Sequence, residues 1–222
     1  MAPERAGGRA VGCGTMLDMF DRLRRRRKGA APQAPPLTAH QLWMVSLCAP
    51  VNRGSEAASG TLYPFRYSDD SRAERWLREQ WEIADRPELL SRLEGLLAEG
   101  FRRSLPGRLR HQALAWDLAL YADVVRKGYA AGHLDEVTAW HLLRGTIAPA
   151  TARYTSWTEF ADDYLLVRMV WRENLQGTPD EDFPAPQAVS DAHLRTLLDP
   201  ANRASPWNHA PWHVISGPDH AY

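Results

Sequence analysis

Lysine is nearly missing from this chain: of 27 basic residues only Lys28 and Lys127 are lysine and the rest are arginine. We read that as the coding bias of a GC-rich bacterial genome, not as chemistry. Cysteine is equally scarce, with Cys13 and Cys48 alone, so no disulfide framework is expected and a reducing compartment is. Net charge is absent too, because 27 acidic residues cancel the 27 basic ones. Without a global positive field, nucleic acid is not an expected partner. No stretch reaches the roughly 18 apolar residues of a membrane span, and the N-terminus lacks the apolar segment of a signal peptide. The tetrad Ala10 to Cys13 faintly resembles a lipoprotein cleavage site, but Gly7, Gly8 and Arg9 stand where its hydrophobic stretch belongs. Phosphate-binding glycine loops, nucleophile elbows, metalloprotease motifs and dinucleotide fingerprints are missing, which takes support from the common enzyme classes.

What is present is helical periodicity, and it centres on Ala113 to Trp140. Leu114, Ala115, Trp116, Leu118, Ala119, Leu120, Tyr121, Ala122, Val124 and Val125 surround the axis of one helix, and a helix without a polar face is a buried one. Gly128 and Gly132 are expected to end it, and Asp135 to cap the next helix, which runs to Gly145. Capping-box spacings mark three other starts, at Thr38 and Gln41, Ser71 and Glu74, and Ser156 and Glu159. Asp85 with Pro87 and Glu88 marks a fourth start, before a leucine-rich helix that Gly100 ends. Residues 147 to 155 read as a link, and Ser190 opens a short helix. Two extended Pro-Trp corners, Pro206-Trp207 and Pro211-Trp212, are expected to clamp the C-terminus onto the bundle. The fold class is all-α: a compact multi-helix bundle around a buried central helix at about 113 to 127.

The length suits a single domain, placed at 37 to 214. Residues 1 to 36 form a disordered basic extension with a Pro- and Ala-rich linker, and 215 to 222 a tail. Residues 1 to 30 hold eight basic and three acidic residues, which leaves the body mildly acidic. Within the extension, Leu17, Phe20 and Leu23 precede Arg22, Arg24, Arg25, Arg26, Arg27 and Lys28. Such a basic segment can touch an anionic membrane weakly. A solvated, fraying tail is the simpler reading, and Met16 is an alternative start. The expected location is the cytoplasm, with peripheral contact at the inner face of the membrane as an option.

Two charged residues interrupt apolar stripes. Asp117 lies in the central helix and Arg168 in the helix that Ser156 opens, and we expect them to form a buried ion pair. Such a pair is architectural by default. Alternatively it anchors a small polar ligand in a cleft lined by Trp116, Trp140, Trp157, Tyr164 and Trp171, although core packing explains most of the nine tryptophans. No metal site or cofactor is expected. Pro211 between His209 and His213 disfavours the helix that would align them, and His133 and His141 suit surface or capping roles. Glu159, Asp162 and Asp163 read as a solvated face near a helix N-terminus.

The combination of motifs resembles a known family. Trp81-Glu82-Ile83, Glu99-Gly100-Phe101, Ala115-Trp116-Asp117, Gly128 to Gly132, Ala139-Trp140, Ser156-Trp157, Tyr164, Arg168, Trp171, Ser205-Pro206-Trp207 and Pro211-Trp212 resemble the bacterial domain of unknown function 1266. The resemblance extends over about Leu37 to Trp212. It implies a helical bacterial protein and lends no activity. This chain departs from the family pattern at Leu120, where an arginine is usual, and at Val167, where a glycine is. The expected role is a non-catalytic protein-interaction or regulatory module with a protein partner; the alternative is a small-molecule binding protein or enzyme using Asp117 and Arg168.

Overall fold

The computed structural model describes residues 36–52, 62, 70–105, 107, 113–174 and 187–219, and the regular elements among them are helices. Thr38 opens α1 (Ala39–Ser46) with a complete capping box: its hydroxyl accepts from Gln41 N at 3.2 Å, and the Gln41 side chain accepts from Thr38 N at 2.9 Å. Two N–H groups that the first turn leaves orphaned are thereby satisfied. α2 spans Asp70–Trp81, so Ser71 lies inside the helix instead of capping it. Asp85 caps α3 (Arg86–Ala98), accepting from Glu88 N at 2.9 Å, with Pro87 in the first turn where a missing N–H is harmless. A 3-10 turn, Phe101–Ser104, follows.

The central helix, α4 (Ala115–Ala130), is buried at every residue from Ala115 to Arg126. It runs through Gly128, which was expected to end it. A Cβ on Gly128 would stand 2.6 Å from a Leu89 methyl, so this glycine lets α3 and α4 approach closely. Gly132, at φ 77°, makes the turn. Asp135 then caps α5 (Glu136–Arg144), accepting from Thr138 N at 2.8 Å.

Residues 147–155 hold a helix, α6 (Ile147–Arg153), where the sequence reads as a link. Pro149 sits in its first turn, the one place where proline does not break a helix. α7 (Trp157–Asn174) starts as expected: Ser156 Oγ accepts from Glu159 N at 3.1 Å, and the Glu159 carboxylate accepts from Thr155 N at 2.7 Å. α8 spans Gln187–Leu198, so it begins three residues before Ser190, which is buried within it. The Pro-Trp corners are helical and not extended, forming α9 (Pro206–His209) and a 3-10 turn at Trp212–Ser216. Proline's fixed φ suits the start of a helical turn as well as it suits an extended corner.

The bundle is organised as the periodicity predicts. α4 packs against α1, α2, α3, α5 and α7, while α9 and the last 3-10 turn close over α1. There Trp43, Trp157, Trp207 and Trp212 form one cluster, with Trp157 and Trp207 stacked at 5.0 Å and Trp43 and Trp212 edge to face at 4.9 Å. Two of the buried indoles find carbonyls: Trp157 Nε1 donates to Ala210 O at 2.7 Å and Trp207 Nε1 to Ser46 O at 3.0 Å. Farther on, His40 N donates to Asp219 Oδ1 at 3.2 Å, tying residues beyond the turn to α1.

Candidate functional site

Asp117 sits in the first turn of α4 and is 1% exposed. Its carboxylate accepts from Phe101 N at 2.7 Å and from Arg102 Nη1 at 2.8 Å, with Arg102 N at 3.4 Å. The same guanidinium donates to the carbonyls of Leu96, Leu97 and Ala98 at 3.0, 2.6 and 2.8 Å. Those carbonyls are the ones that the end of α3 leaves without helical partners. Arg102 and Asp117 therefore tie the C-terminus of α3 to the N-terminus of α4. Burial pushes the Asp117 carboxyl above its ordinary value of 3.8, against the pull of Arg102 and of the Phe101 N–H.

The expected partner of Asp117 was Arg168, and that expectation is corrected. Arg168, 1% exposed, donates from Nη1 to Gln187 Oε1 at 2.7 Å, and Gln187 Nε2 in turn donates to Asp191 at 3.0 Å. The reason is helix register. At the level of the α4 N-terminus the residues that α7 presents are Asp163 and Tyr164, and Arg168 stands roughly 7 Å farther along the axis. Asp163 does the capping: its Oδ2 accepts from Leu114 N and Ala115 N, both at 2.9 Å, and from the Tyr154 hydroxyl. It was read as part of a solvated face, whereas it supplies the cap that Leu114 lacks. Burial, then the adjacent Asp163 carboxylate, pushes the Tyr154 hydroxyl far above its ordinary value.

Among the described residues, the aromatic side chains expected to share a cleft do not all gather in one place. Trp116 packs on Tyr164 with ring centroids 5.0 Å apart, whereas Trp157 belongs to the tryptophan cluster over α1. Trp140 is half-buried on α5 and donates to Glu136 at 3.2 Å. The Trp171 side chain and the basic run Arg22, Arg24, Arg25, Arg26, Arg27 and Lys28 lie outside the described residues. His209 Nε2 bonds the Arg203 carbonyl at 2.7 Å. Among the described residues no group of three or more His, Cys, Asp or Glu is placed to hold a metal ion. Among them, too, no helix is long and apolar enough to cross a membrane.

An open groove of about 680 Å³ runs beside α3, and the sequence reading passed over it. Trp81, Ile83, Leu96 and Phe101 give it an apolar lining, with the Trp81 and Phe101 rings edge to face at 6.2 Å. Gly95 opens the middle, since a Cβ there would have no neighbour within 4 Å. The rim carries Glu82, Glu88, Arg92, Glu99 and Arg103. Most of these are engaged: Arg103 pairs with Glu99 at 2.6 Å, Arg92 donates to Trp81 O at 3.1 Å, and Glu88 accepts from Ala84 N at 2.6 Å. Glu82 takes no hydrogen bond or ion pair from the described residues. One local signal for the groove was available: Gly95 in a helix interior, where glycine is disfavoured.

A family model described as a protein of unknown function (DUF1266) matches residues 102–212, which is half of the 222-residue chain. No curated protein and no solved structure matches it.

Proposed function

The chain belongs to the DUF1266 family, and we propose that it is a cytoplasmic, non-catalytic protein-interaction module that takes a segment of a partner protein in the groove beside α3. The observation that carries this reading is a groove lined by the aromatic pair Trp81 and Phe101, with open space over Gly95. Aromatic side chains at the centre of a concave surface are typical anchors for protein partners. By contrast, the residues that had been candidates for a reactive or ligand-holding centre are engaged within the fold. Asp117 is enclosed by the N–H groups and guanidinium that it bonds, and Arg168 is buried against Gln187.

Gly95→Trp is the direct test, because a Cβ at Gly95 meets nothing within 4 Å and an indole there adds bulk to the groove. The full chain is prepared with a photo-crosslinking residue at Ser91 in the groove, and separately at Val137, 80% exposed on α5. A defined protein adduct formed in host lysate from Ser91 and not from Val137, and abolished by Gly95→Trp, supports the reading. Adducts that are the same from both positions, or that survive Gly95→Trp, overturn it. If Gly95→Trp instead displaces a small molecule that co-purifies with the wild type, the groove is a ligand site and the partner-protein reading falls.

A further inference from the structure

Glu82 occupies a backbone conformation that does not suit it. Three described residues have φ in the left-handed region: Gly100 at 54°, Gly132 at 77° and Glu82 at 56°. Glycine takes that region freely, and a residue with a Cβ does so at an energetic penalty. At Glu82 the conformation is needed because α2 must end sharply there. Glu82 N donates to Arg78 O and Ile83 N reaches back to Leu77 O, both at 3.1 Å, which lets Ile83 turn into the core. Glycine would serve that helix end better. The fold therefore gains nothing from the carboxylate, which is exposed on the groove rim beside Trp81 and bonded to no described residue. Strain of this kind gathers at functional positions.

The rest of the rim says which charge the carboxylate receives. Arg103 is offset by Glu99. Arg92 sits on the carbonyl of Trp81 at the C-terminal end of α2, where the helix dipole already favours a cation. Glu88 faces the first turn of α3 through its bond to Ala84 N. Glu82 is what remains uncompensated, at the edge of two aromatic rings. The α3 side of the groove runs from Pro87 to Glu99, roughly 18 Å along the helix, enough for about five residues of extended chain. Building on the groove-docking reading, we propose that the occupant is a basic segment of the partner: an apolar residue seats against Trp81 and Phe101 over Gly95, and a lysine or arginine next to it pairs with Glu82.

The test uses the full chain as bait for a displayed library of random twelve-residue peptides, discarding those that also bind the Gly95→Trp variant. The surviving peptides are sequenced and their affinities measured. Lys or Arg adjacent to an apolar residue is the expected consensus. For a selected peptide, Glu82→Gln weakens binding about tenfold at low salt and leaves Tm unchanged, because it keeps the strained backbone and removes only the charge. Glu82→Gly weakens binding to the same degree and raises Tm by about 2 °C. Survivors with no basic consensus overturn the basic-partner inference while leaving groove docking in place, and a selection with no survivors overturns both. A Glu82→Gly variant with lowered Tm, or Glu82→Gln with unchanged affinity, shows the carboxylate to be structural and ends the proposal.

Discussion

The two turns that flank α3 both pass through left-handed backbone, and they do so with opposite residues. At the C-terminal end stands Gly100, where an added Cβ would fall on the buried Asp117 carboxylate, so backbone and neighbour both demand glycine. At the N-terminal end stands Glu82, where the backbone favours glycine and the side chain points to a groove. The first turn is built for stability: both oxygens of the Asp117 carboxylate and both terminal nitrogens of the Arg102 guanidinium bond other parts of the fold. The second gives up a little stability to hold a carboxylate in the open. The turns at the two ends of one helix thus separate what maintains the fold from what the fold presents.

Breaking the stable side of that comparison should have the largest effect. Arg102→Ala leaves Asp117 buried without its cation and uncaps three carbonyls of α3, and urea denaturation should show a loss of about 3 to 5 kcal/mol. Gly100→Ala combines a left-handed residue with a collision at Asp117, which places it at about 3 kcal/mol by the same measurement. A loss below 1 kcal/mol would mean that the turn relaxes and that the demand for glycine is weaker than the geometry implies.

Asp117→Asn should cost about 2 kcal/mol, and its pH dependence is a sharper probe than its size. The native carboxyl titrates above 3.8, so the folded chain holds this proton more tightly than the unfolded one does. Wild type therefore loses stability relative to the variant as pH rises from 3.8 through the raised native value. The penalty of the substitution is largest in acid and smaller at neutrality. A penalty that grows with pH would show Arg102 outweighing burial.

The smaller effects lie farther from that clamp. Asp163→Ala removes the cap from α4 and should cost about 1 to 2 kcal/mol, with Tyr154→Phe near 1 kcal/mol. A double-mutant cycle should find the two coupled, since both act at Asp163 Oδ2. Smallest, and of opposite sign, Glu82→Gly should stabilise the fold by about 0.5 to 1 kcal/mol. That sign reversal between Gly100→Ala and Glu82→Gly is the difference between the two turns expressed as a measurement.

Interactions that close within one helical turn were legible in the chain. The caps at Thr38, Asp85, Asp135 and Ser156 each join residues three or four apart, and each appears where the spacing placed it. The apolar run of α4 announced a central buried helix for the same reason, because it depends only on periodicity. Gly128 and Asp163 were misread because their roles belong to other helices: Gly128 accommodates Leu89, and Asp163 caps a helix 48 residues earlier in the chain. Spacing along one helix turned Asp117 and Arg168 into the core, where they lie, but left Asp123 and Arg126, which are buried as well, on the surface. It carries no information on the axial level at which two helices meet.

Hydrophobic period and capping, being local properties of the chain, located most of the helices, the starts at Thr38, Asp85, Asp135 and Ser156, and the burial of the central helix; they missed α6 and misplaced the starts of α2 and α8. Helix packing alone brought Asp117 to Arg102, set Asp163 as the cap of α4, and put Trp81 edge to face with Phe101 in the groove that Gly95 also lines. Each of those contacts depends on how two or three helices slide and turn against one another, and packing of the whole core sets that register.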